Sequence, residues 1–249
     1  MALIHSLEKN GNFLFKYRGQ IPVLLFISSI PVVLSTNYSF LIGKPNLELV
    51  LLISCISVSM LGQIVRAIAI GTSNKHTSGR NTKEQVAEAL NTQGIYSTVR
   101  HPLYLGNYFM WLGIVLFTFS IWFVIAFSLF FWLYYERIMF AEERFLERKF
   151  GENYLNWSLK VPAFMPSFKN YQKTNIPFSL KTILRREYSG VTATIIGFLY
   201  VDIVRNWNIY EKFHFDNMHL FILILALLIS LILRSLKHYT KVLHEEDRS

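Results

Sequence analysis

A long run of apolar residues is the feature that most constrains this sequence. From Leu103 to Met139, about 37 residues pass with almost no charge. A helix needs about 20 apolar residues to cross the hydrocarbon core of a bilayer. The run therefore predicts two membrane-spanning helices joined by a tight turn near residues 118–120.

Further apolar segments extend this pattern along the chain. The other predicted spans lie near residues 21–42, 47–70, 188–204 and 217–233. The expected fold is an all-α integral membrane protein with about six transmembrane helices. The expected count is five to six, because the fifth apolar run is weaker than the others and contains Asp202.

The composition agrees with a membrane protein and excludes other classes. Hydrophobic residues make up 52% of the 249 residues and charged residues only 16%, against about 25% charged residues in soluble domains. The net charge of +9 comes from basic residues scattered between the spans. They form no continuous basic stripe, so we expect no nucleic-acid partner. The single cysteine, Cys55, and the absence of a Cys/His zinc spacing predict no metal site.

A different pattern follows the fourth span. Residues 141–160 alternate aromatic and apolar side chains with charged ones, which predicts an amphipathic interfacial helix interrupted at Gly151. Pro162 and Pro166 end this helix, since proline cannot continue one. The basic segment 170–186 is predicted to be a loop.

The candidate site begins where a loop meets a helix. Arg100 and His101 directly precede Pro102, and proline is favoured at the first helical position. A helix N-terminus presents free backbone N–H groups and a positive potential, which suit a carboxylate or a phosphate. Arg100, His101 and Tyr104 add donors, so this end of the site suits a negative group.

The opposite charge stands at the other end of the apolar hairpin. Glu142 and Glu143 follow about forty residues later, and a carboxylate there suits an ammonium or a sulfonium. S-adenosylmethionine has both a carboxylate and positive groups and would bridge the two ends. From charge alone other interpretations stay open: Arg100 as an anchor at lipid phosphates, His101 as a helix cap, and the glutamates as a solvated helix face.

These residues form a series that resembles a known family. The series reads Arg100-His101-Pro102-x-Tyr104-x-Gly106, then Glu142-Glu143, Phe150-Gly151-x-x-Tyr154, Val161-Pro162 and Pro166. In order and spacing, residues 94–168 resemble the isoprenylcysteine carboxyl methyltransferase and phospholipid methyltransferase superfamily. The resemblance implies an integral membrane methyltransferase that uses S-adenosylmethionine without a Rossmann domain. The sequence has no Gly-x-Gly-x-x-Gly after a strand.

The resemblance also assigns residues. In the family, the His-Pro-x-Tyr stretch and the glutamate pair enclose the cofactor. The resemblance implies that Arg100, His101, Tyr104, Glu142 and Glu143 bind the cofactor, and Gly106 would permit close approach of a helix or ligand. We add the neighbouring Tyr96 and Asn107 to the predicted cofactor-binding residues. The residues to which we assign catalytic roles are Arg137, His101 and Glu143.

The polar loop before the series predicts the acceptor. Residues 75–83 combine Lys and Arg with hydroxyl and amide side chains, and Arg can bind phosphate bidentately. The predicted substrate-binding residues are Arg66, Lys75, Arg80 and Asn81. An ordinary basic cytoplasmic loop is the alternative. The stretch 82–90 favours a short helix with Thr82 as its N-cap.

We therefore predict a membrane enzyme that O-methylates an anionic lipid head group. The loop and the residues after it resemble a bacterial branch similar to lipid A 1-phosphate methyltransferases, so this phosphate is one candidate acceptor. The alternatives are carboxyl methylation of a prenylated cysteine and N-methylation of phosphatidylethanolamine. An NADPH-dependent membrane sterol reductase is a different class, although two carboxylates would repel its pyrophosphate.

The chain is expected to have three regions. These are an N-terminal two-span region (1–93), a cofactor-binding core (94–168) and a C-terminal region with two further spans (169–249). The distribution of Lys and Arg places both termini on the cytoplasmic side. The expected location is a bacterial inner membrane, with a membrane lipid as substrate.

Overall fold

The computed structural model describes residues 2–74, 85–211 and 215–245. In these residues the chain folds into eight α-helices and one short 3₁₀ helix. The α-helices are α1 (Leu3–Lys16), α2 (Ile21–Ser35), α3 (Pro45–Gly71), α4 (Pro102–Leu116), α5 (Ile121–Phe150), α6 (Glu152–Ser158), α7 (Leu180–Tyr210) and α8 (Asn217–Tyr239), and the 3₁₀ helix is Gly94–Ser97. The all-helical class predicted from the sequence is confirmed.

Four helices in the described part of the chain are long and apolar enough to cross a membrane. They are α3, α5, α7 and α8. Two shorter apolar helices, Val23–Ser35 within α2 and Pro102–Leu116, occupy the other two predicted spans. The membrane-protein class is confirmed, while the count of six crossings stays a prediction.

The turn expected at 118–120 is present and tight. α4 ends at Leu116 and α5 begins at Ile121. The buried Thr118 donates its hydroxyl to the carbonyl of Val115 at 2.7 Å, and Phe119 has a φ of 55°. The two helices therefore form the predicted hairpin, which brings the start of α4 beside the end of α5.

The predicted interfacial helix differs from the structure in its first half. α5 is a single helix of 30 residues, so residues 141–150 continue the fourth span instead of forming a separate element. No glycine or proline interrupts α5 before Gly151, which has a φ of 52° and a ψ of −127°. The break at Gly151 is confirmed, and the short α6 follows it.

Three other segments also differ from the prediction. α7 begins at Leu180, inside the segment expected to be a loop, because the Ser179 side chain caps it by accepting from the backbone N–H of Thr182 at 3.1 Å. α1 lies in residues 1–20, where no helix is predicted. The short helix expected over 82–90 is absent from residues 85–90, and 82–84 lie outside the described residues.

α3 and α4 pack closely at small residues. A Cβ on Gly62 would lie 2.5 Å from the backbone nitrogen of Met110, and Ser59 donates its hydroxyl to the Met110 carbonyl at 2.7 Å. Small residues let helix backbones approach each other in a membrane, where packing and interhelical hydrogen bonds drive association. This contact sets Arg66 of α3 beside Asn107 of α4.

α1 packs along the second half of α5. Gly11 faces the backbone of Arg137, and a Cβ on Gly11 would lie 2.7 Å from the Cβ of Ala141. Glu8 forms an ion pair with Arg148 at 2.6 Å. The N-terminal helix is therefore fixed to the part of α5 that follows the membrane span.

The helices alternate in direction. The ends of some helices and the starts of others therefore meet at one end of the bundle. Arg66 near the end of α3 contacts Glu187 near the start of α7. Lys237 near the end of α8 lies 5.8 Å from the ring centre of Tyr188. At the opposite end, Asn208 of α7 donates to a carbonyl of α2 at 2.9 Å. The residues predicted for the site lie at the first of these two ends.

Candidate functional site

A cavity of about 910 Å³ lies at the end of the bundle where Arg66 meets Glu187. Its volume is in the range of small-molecule sites, roughly 300–1,000 Å³. Every described α-helix except α2 contributes side chains to its wall. Its ionisable Arg, Lys, His and Glu residues are Arg18, Arg66, Arg100, His101, Glu142, Glu143, Arg185, Arg186, Glu187, Lys237, His238 and His244.

We use two names for two groups of residues that line this cavity. The motif side consists of Tyr96, Arg100, His101, Tyr104, Glu142 and Glu143. The α7–α8 side consists of Arg185, Arg186, Glu187 and Lys237. Both groups line the same cavity, so a single ligand or a pair of ligands can contact both.

The turn before α4 is held by the segment that follows α6. The backbone N–H of Arg100 donates to the Pro162 carbonyl at 2.9 Å, and that of His101 donates to the Ala163 carbonyl at 3.2 Å. α4 then starts at Pro102, where a missing N–H has no cost. The proline-containing segment at 161–166 therefore fixes the positions of Arg100 and His101.

Glu143 is engaged by two cationic side chains. Arg100 donates from Nε and Nη2 at 2.8 and 3.2 Å, and His101 Nε2 lies 2.9 Å from Glu143 Oε1. The Nη1 of Arg100 donates to the carbonyls of Ser158 and Val161 at 2.7 and 2.8 Å. A bidentate arginine–carboxylate pair is strong and directional. Glu143 therefore locks the start of α4 to the end of α5.

His101 lies between the two carboxylates of the motif side. Its Nε2 faces Glu143, and its Nδ1 lies 3.6 Å from Glu142 Oε2. Burial alone would lower the pKa of His101, but the hydrogen bonds and charges of Glu142 and Glu143 outweigh burial and hold this pKa above its ordinary value. The arrangement favours the imidazolium form, which donates hydrogen bonds and does not accept a proton.

Glu142 has a looser set of contacts than Glu143. The Tyr104 hydroxyl donates to Glu142 at 2.8 Å, and the Tyr104 ring packs 4.8 Å from the ring of Tyr135. The Glu142 side chain is 21% exposed and that of Glu143 is 24% exposed, and both line the cavity, so the difference lies in their hydrogen bonds. Glu142 can therefore present its carboxylate to a positive group in the cavity.

Arg66 joins three helices in the middle of the cavity. Its Nε and Nη2 donate to the carboxylate of Glu187 at 2.6 and 2.7 Å, and its Nη1 donates to Asn107 Oδ1 at 2.6 Å. Gly106 makes room for this side chain, because a Cβ on Gly106 would collide with it. Asn107 donates to the Tyr135 hydroxyl at 3.3 Å, so polar contacts extend from α7 toward the motif side.

Tyr96 belongs to the motif side and lines the cavity. Its carbonyl accepts a hydrogen bond from the indole N–H of Trp157 at 3.2 Å. Burial and the charge of Glu142 raise the pKa of Tyr96, whereas the charge of Arg186 opposes the rise. Charges of both the motif side and the α7–α8 side therefore act on the Tyr96 side chain.

The structure brings most of the predicted site residues to the cavity. Those that line it are Arg66, Tyr96, Arg100, His101, Tyr104, Asn107, Glu142 and Glu143. Gly106 lies behind the wall, against Arg66. Arg137 is absent from the described lining, and its guanidinium donates to the Leu133 carbonyl at 2.6 Å. Since Arg137 lies on the face of α5 that packs on α1, its position gives no support to the predicted catalytic role. Lys75, Arg80 and Asn81 lie outside the described residues.

The residues of the α7–α8 side and those of α1 are not among the sites predicted from the sequence. A carboxylate at the start of an apolar run is the signal that could have indicated Glu187, since a charge kept inside a membrane helix often marks a site. Phe15 and Arg18 also line the cavity. The spacing of Leu7, Gly11 and Phe15 by four residues is the helical signal in this part of the chain.

Comparison with known proteins identifies the central part of the chain. The Phospholipid methyltransferase family model matches residues 49–153. This segment is similar to that family. It contains Arg66, the turn before α4 and the glutamate pair, so the membrane methyltransferase family inferred from the sequence is confirmed.

Individual relatives agree with the family match. "Protein-S-isoprenylcysteine O-methyltransferase" of Xenopus laevis is 31% identical over 129 residues, which are 50% of this chain and 44% of that protein. The protein of the same name from Schizosaccharomyces pombe is 33% identical over 118 residues, 45% and 48% of the two chains. "Nickel-cobalt-cadmium resistance protein NccN" of Alcaligenes xylosoxydans xylosoxydans is 32% identical over 111 residues, 45% and 49% of the two chains.

These matches cover only part of each chain. The chain spans about half the length of the curated relatives it matches. The matched family segment ends at residue 153, so α7 and α8 lie outside it. No solved structure matches the chain. Among the described residues, no group of three or more His, Cys, Asp or Glu side chains could hold a metal ion.

Proposed function

We propose that the protein transfers a methyl group from S-adenosylmethionine to an anionic oxygen of a lipid head group, with a lipid phosphate as the first candidate. The proposal rests on one observation: a single cavity has two carboxylates, an arginine and a histidine on its motif side and several basic residues on its α7–α8 side. The family of the 49–153 segment supports methyl transfer. The Glu142 carboxylate suits a positive donor, and the basic residues of the α7–α8 side suit a negative acceptor.

The motif side fits S-adenosylmethionine by the chemistry of its groups. When bound, this cofactor supplies a methyl group activated by a sulfonium. Glu142 offers a carboxylate to a positive centre, and the start of α4 offers backbone N–H groups to a carboxylate. Tyr96 and Trp157 line the cavity and offer aromatic surface to a purine. These residues are our proposed cofactor site, together with Arg100, His101 and Tyr104.

The two glutamates have different tasks in this proposal. Glu143 accepts hydrogen bonds from both Arg100 and His101, so we assign it the positioning of those two residues. Glu142 has the looser contacts and faces the cavity, so we assign it to the cofactor. The sequence alone does not distinguish the two roles.

The state of His101 favours an acceptor that is already ionised. A phosphate or a carboxylate needs no general base at neutral pH, whereas an amine must lose a proton before it can accept a methyl group. His101 is held as a donor by two carboxylates. The site therefore supports O-methylation of an anion over N-methylation of phosphatidylethanolamine, and its main task becomes the alignment of donor and acceptor.

The carboxyl group of a prenylated cysteine is the second candidate acceptor. The relatives from Xenopus laevis and Schizosaccharomyces pombe are named as isoprenylcysteine O-methyltransferases. Such a carboxylate is also an anionic oxygen on an apolar anchor. An NADPH-dependent reductase has less support, because two carboxylates on the motif side would repel a pyrophosphate.

The remaining assignments also stand as proposals. We place the protein in a bacterial inner membrane with both termini in the cytoplasm, because basic segments adjoin the end of the bundle that holds the cavity. Arg66 lines the cavity but is paired with Glu187. Lys75, Arg80 and Asn81 stay proposed acceptor ligands on the basis of sequence alone.

Transfer of a tritiated methyl group from S-adenosylmethionine to a total lipid extract tests the proposal. The products are separated by phosphate content, treated with mild base and identified by mass. Label on a phosphate-bearing lipid as a methyl phosphate ester supports the first candidate. Methanol released by base from a peptide fraction identifies the prenylcysteine carboxyl as acceptor. No label in any fraction contradicts the proposed function.

A further inference from the structure

We propose that the cavity continues into an apolar arm between α4 and α7, and that this arm holds the hydrocarbon chain of the acceptor and limits its length. The inference rests on the proposed function and deepens it, because it names the substrate class as an amphiphile with one chain of limited length in the arm. One wall of the arm is α7, which lies outside the segment matched by the family model.

The walls of the arm come from two helices that both start at the site end of the bundle. The lining continues on α4 from Asn107 to Ile114 and on α7 from Glu187 to Thr194. Each of these stretches rises about 10 Å along its helix. Two walls of equal depth therefore bound a space that leads away from the polar end of the cavity.

A polar junction marks the start of the arm. Arg66 donates to Asn107 of α4 and to Glu187 of α7 at 2.6 Å each. Beyond this junction the Thr194 hydroxyl donates to the Gly190 carbonyl at 2.9 Å and accepts from the side-chain amide of Gln63 at 3.3 Å.

The surface beyond the junction is mainly hydrocarbon and aromatic. An apolar cavity favours an apolar ligand over water. The junction therefore separates a polar region suited to a head group from an arm suited to its chain. The described residues that line the arm are Met110, Trp111, Ile114, Gly190, Ala193 and Thr194.

The far end of the arm is closed where α2, α4 and α7 meet. A Cβ on Gly197 would lie 2.7 Å from the Ile114 Cδ1 and 3.2 Å from a ring carbon of Phe26. The ring centres of Phe26 and Trp111 are 5.8 Å apart, and the Tyr200 hydroxyl donates to the Phe26 carbonyl at 2.8 Å. The three helices are thus in contact at this level, and the arm has an end.

Side chains form this end. A small cavity of about 20 Å³ lies beyond it. Trp111 and Ile114 line both the small cavity and the large one, so they are the partition between the two. The size of these two side chains therefore sets the depth of the arm, and a shorter residue in place of Ile114 should lengthen it.

Gly190 sets the width of the arm near its start. A Cβ at this position would lie 3.5 Å from the Met110 Cε and 3.9 Å from the Glu187 Oε2, which are ordinary contact distances. The position therefore accepts one methyl group, whereas a larger side chain has to occupy the arm itself. A leucine at this position should block the arm.

Binding of a chain-length series to the purified protein in amphipol tests the arm without turnover. The probes are monoalkyl phosphates of increasing chain length, two N-acetylcysteines that carry an S-dodecyl or an S-farnesyl chain, and S-adenosylmethionine. Titration calorimetry measures each affinity. The variants are Ile114→Ala and Gly190→Leu. The matched controls are Leu105→Ala, at a buried residue of α4, and Val191→Leu, at an exposed residue of α7, both outside the described lining.

We expect each added CH₂ to strengthen binding of the alkyl phosphates to the wild type about fourfold, until the chain spans about 10 Å. The affinity should then level off. In Ile114→Ala it should level off at a longer chain, because the partition is opened. Gly190→Leu should bind long chains about tenfold more weakly and the shortest chains like the wild type. Both controls should keep the wild-type limit, and all variants should keep the affinity for S-adenosylmethionine.

The two cysteine probes share a head group and differ in their chains. Tighter binding of the farnesyl probe identifies a prenyl chain as the occupant of the arm, and tighter binding of the dodecyl probe identifies a straight chain. Equal effects of Gly190→Leu and Val191→Leu on both probes would contradict the arm.

Other outcomes separate the arm from the proposed function. An affinity that is independent of chain length, or that rises without a limit, refutes the arm, as does a limit that Leu105→Ala moves as far as Ile114→Ala does. With normal S-adenosylmethionine binding, the methyltransferase proposal then stands. The expected limit without any S-adenosylmethionine binding supports the arm and contradicts the proposed function. If Ile114→Ala does not fold, Gly190→Leu against Val191→Leu decides the question.

Discussion

The motif side and the α7–α8 side of the cavity differ in where their residues lie in the sequence. The motif side comes from residues 96–143, inside the matched family segment, and the α7–α8 side comes from residues 185–237, beyond it. The first is a compact motif that local rules can identify. The second forms only because the start of α7 and the end of α8 meet in the folded bundle. Under the proposed function, the matched segment provides the methyl-transfer chemistry.

The two sides also differ in how their charges are bound. On the motif side, Arg100, His101 and Glu143 form one interlocked group. On the other side, Arg66 and Glu187 form a single bidentate pair between helices. Loss of a residue of the motif side should therefore lower the rate of methyl transfer. Loss of Glu187 on the α7–α8 side should weaken the packing between helices.

The largest effect is expected on the motif side. Replacing His101 by Ala or Glu143 by Gln should lower methyl transfer by about a hundredfold to a thousandfold, because preorganised charges at the reacting groups are lost. Transfer of labelled methyl groups to the lipid acceptor measures the rate, and size-exclusion chromatography in detergent checks folding. The matched control is Glu136→Gln, an exposed position of α5 away from the cavity. Unchanged turnover in either variant would remove that residue from the site.

Breaking the Arg66–Glu187 pair should give the largest effect on stability. The side chain of Glu187 is 6% exposed, and removal of one partner of a buried ion pair costs about 3 kcal/mol. We expect Glu187→Gln to lower the unfolding temperature clearly, while Arg66→Met combined with Glu187→Leu recovers part of the loss. If Glu187→Gln is as stable as the wild type, the pair does not hold α7 to α3.

A smaller loss of stability is expected at the α3–α4 contact, which positions the middle of the cavity. Gly62→Ala would force the helices apart, because the new Cβ would lie 2.5 Å from the Met110 nitrogen, and overpacking costs about 2 kcal/mol. Gly19→Ala is the matched control, since a Cβ there meets nothing within 4 Å. Equal unfolding temperatures for the two variants would show that the contact is looser than described.

The smallest effect is a pH dependence of stability from His101. Its folded-state pKa is raised, so the stabilisation by Glu142 and Glu143 is fully present below the ordinary pKa of about 6.5 and is lost as the pH rises through the folded pKa. The difference in unfolding free energy between the wild type and His101→Gln should therefore shrink as the pH rises above neutrality. A difference that grows with pH would contradict the charged form of His101.

Local rules account for what the sequence predicts well. The start of α4 follows from proline at a first helical position, the turn near Thr118 follows from the length of the apolar run, and the break at Gly151 follows from a glycine after a helix. The motif residues share a wall because the α4–α5 hairpin brings its two outer ends together. Each of these features depends on neighbouring residues or on one hairpin.

Other features depend on helix orientation and tertiary contact. Arg137 and Glu142 are both charged residues near the end of α5, but they lie on different faces, and only packing against α1 and α4 decides which face lines the cavity. The start of α7 has the charge of a loop and becomes a helix through the Ser179 cap and its contact with Arg66. Charge composition cannot indicate either outcome.

Binding of tritiated S-adenosylmethionine to the purified protein tests the central claim most directly. We predict saturable binding that S-adenosylhomocysteine displaces and NADPH does not. Glu142→Gln should weaken it about tenfold, since each tenfold change corresponds to about 1.4 kcal/mol, while the Glu136→Gln control should bind like the wild type. Displacement by NADPH, or no saturable binding at all, would contradict the assignment of the motif side to a methyl donor.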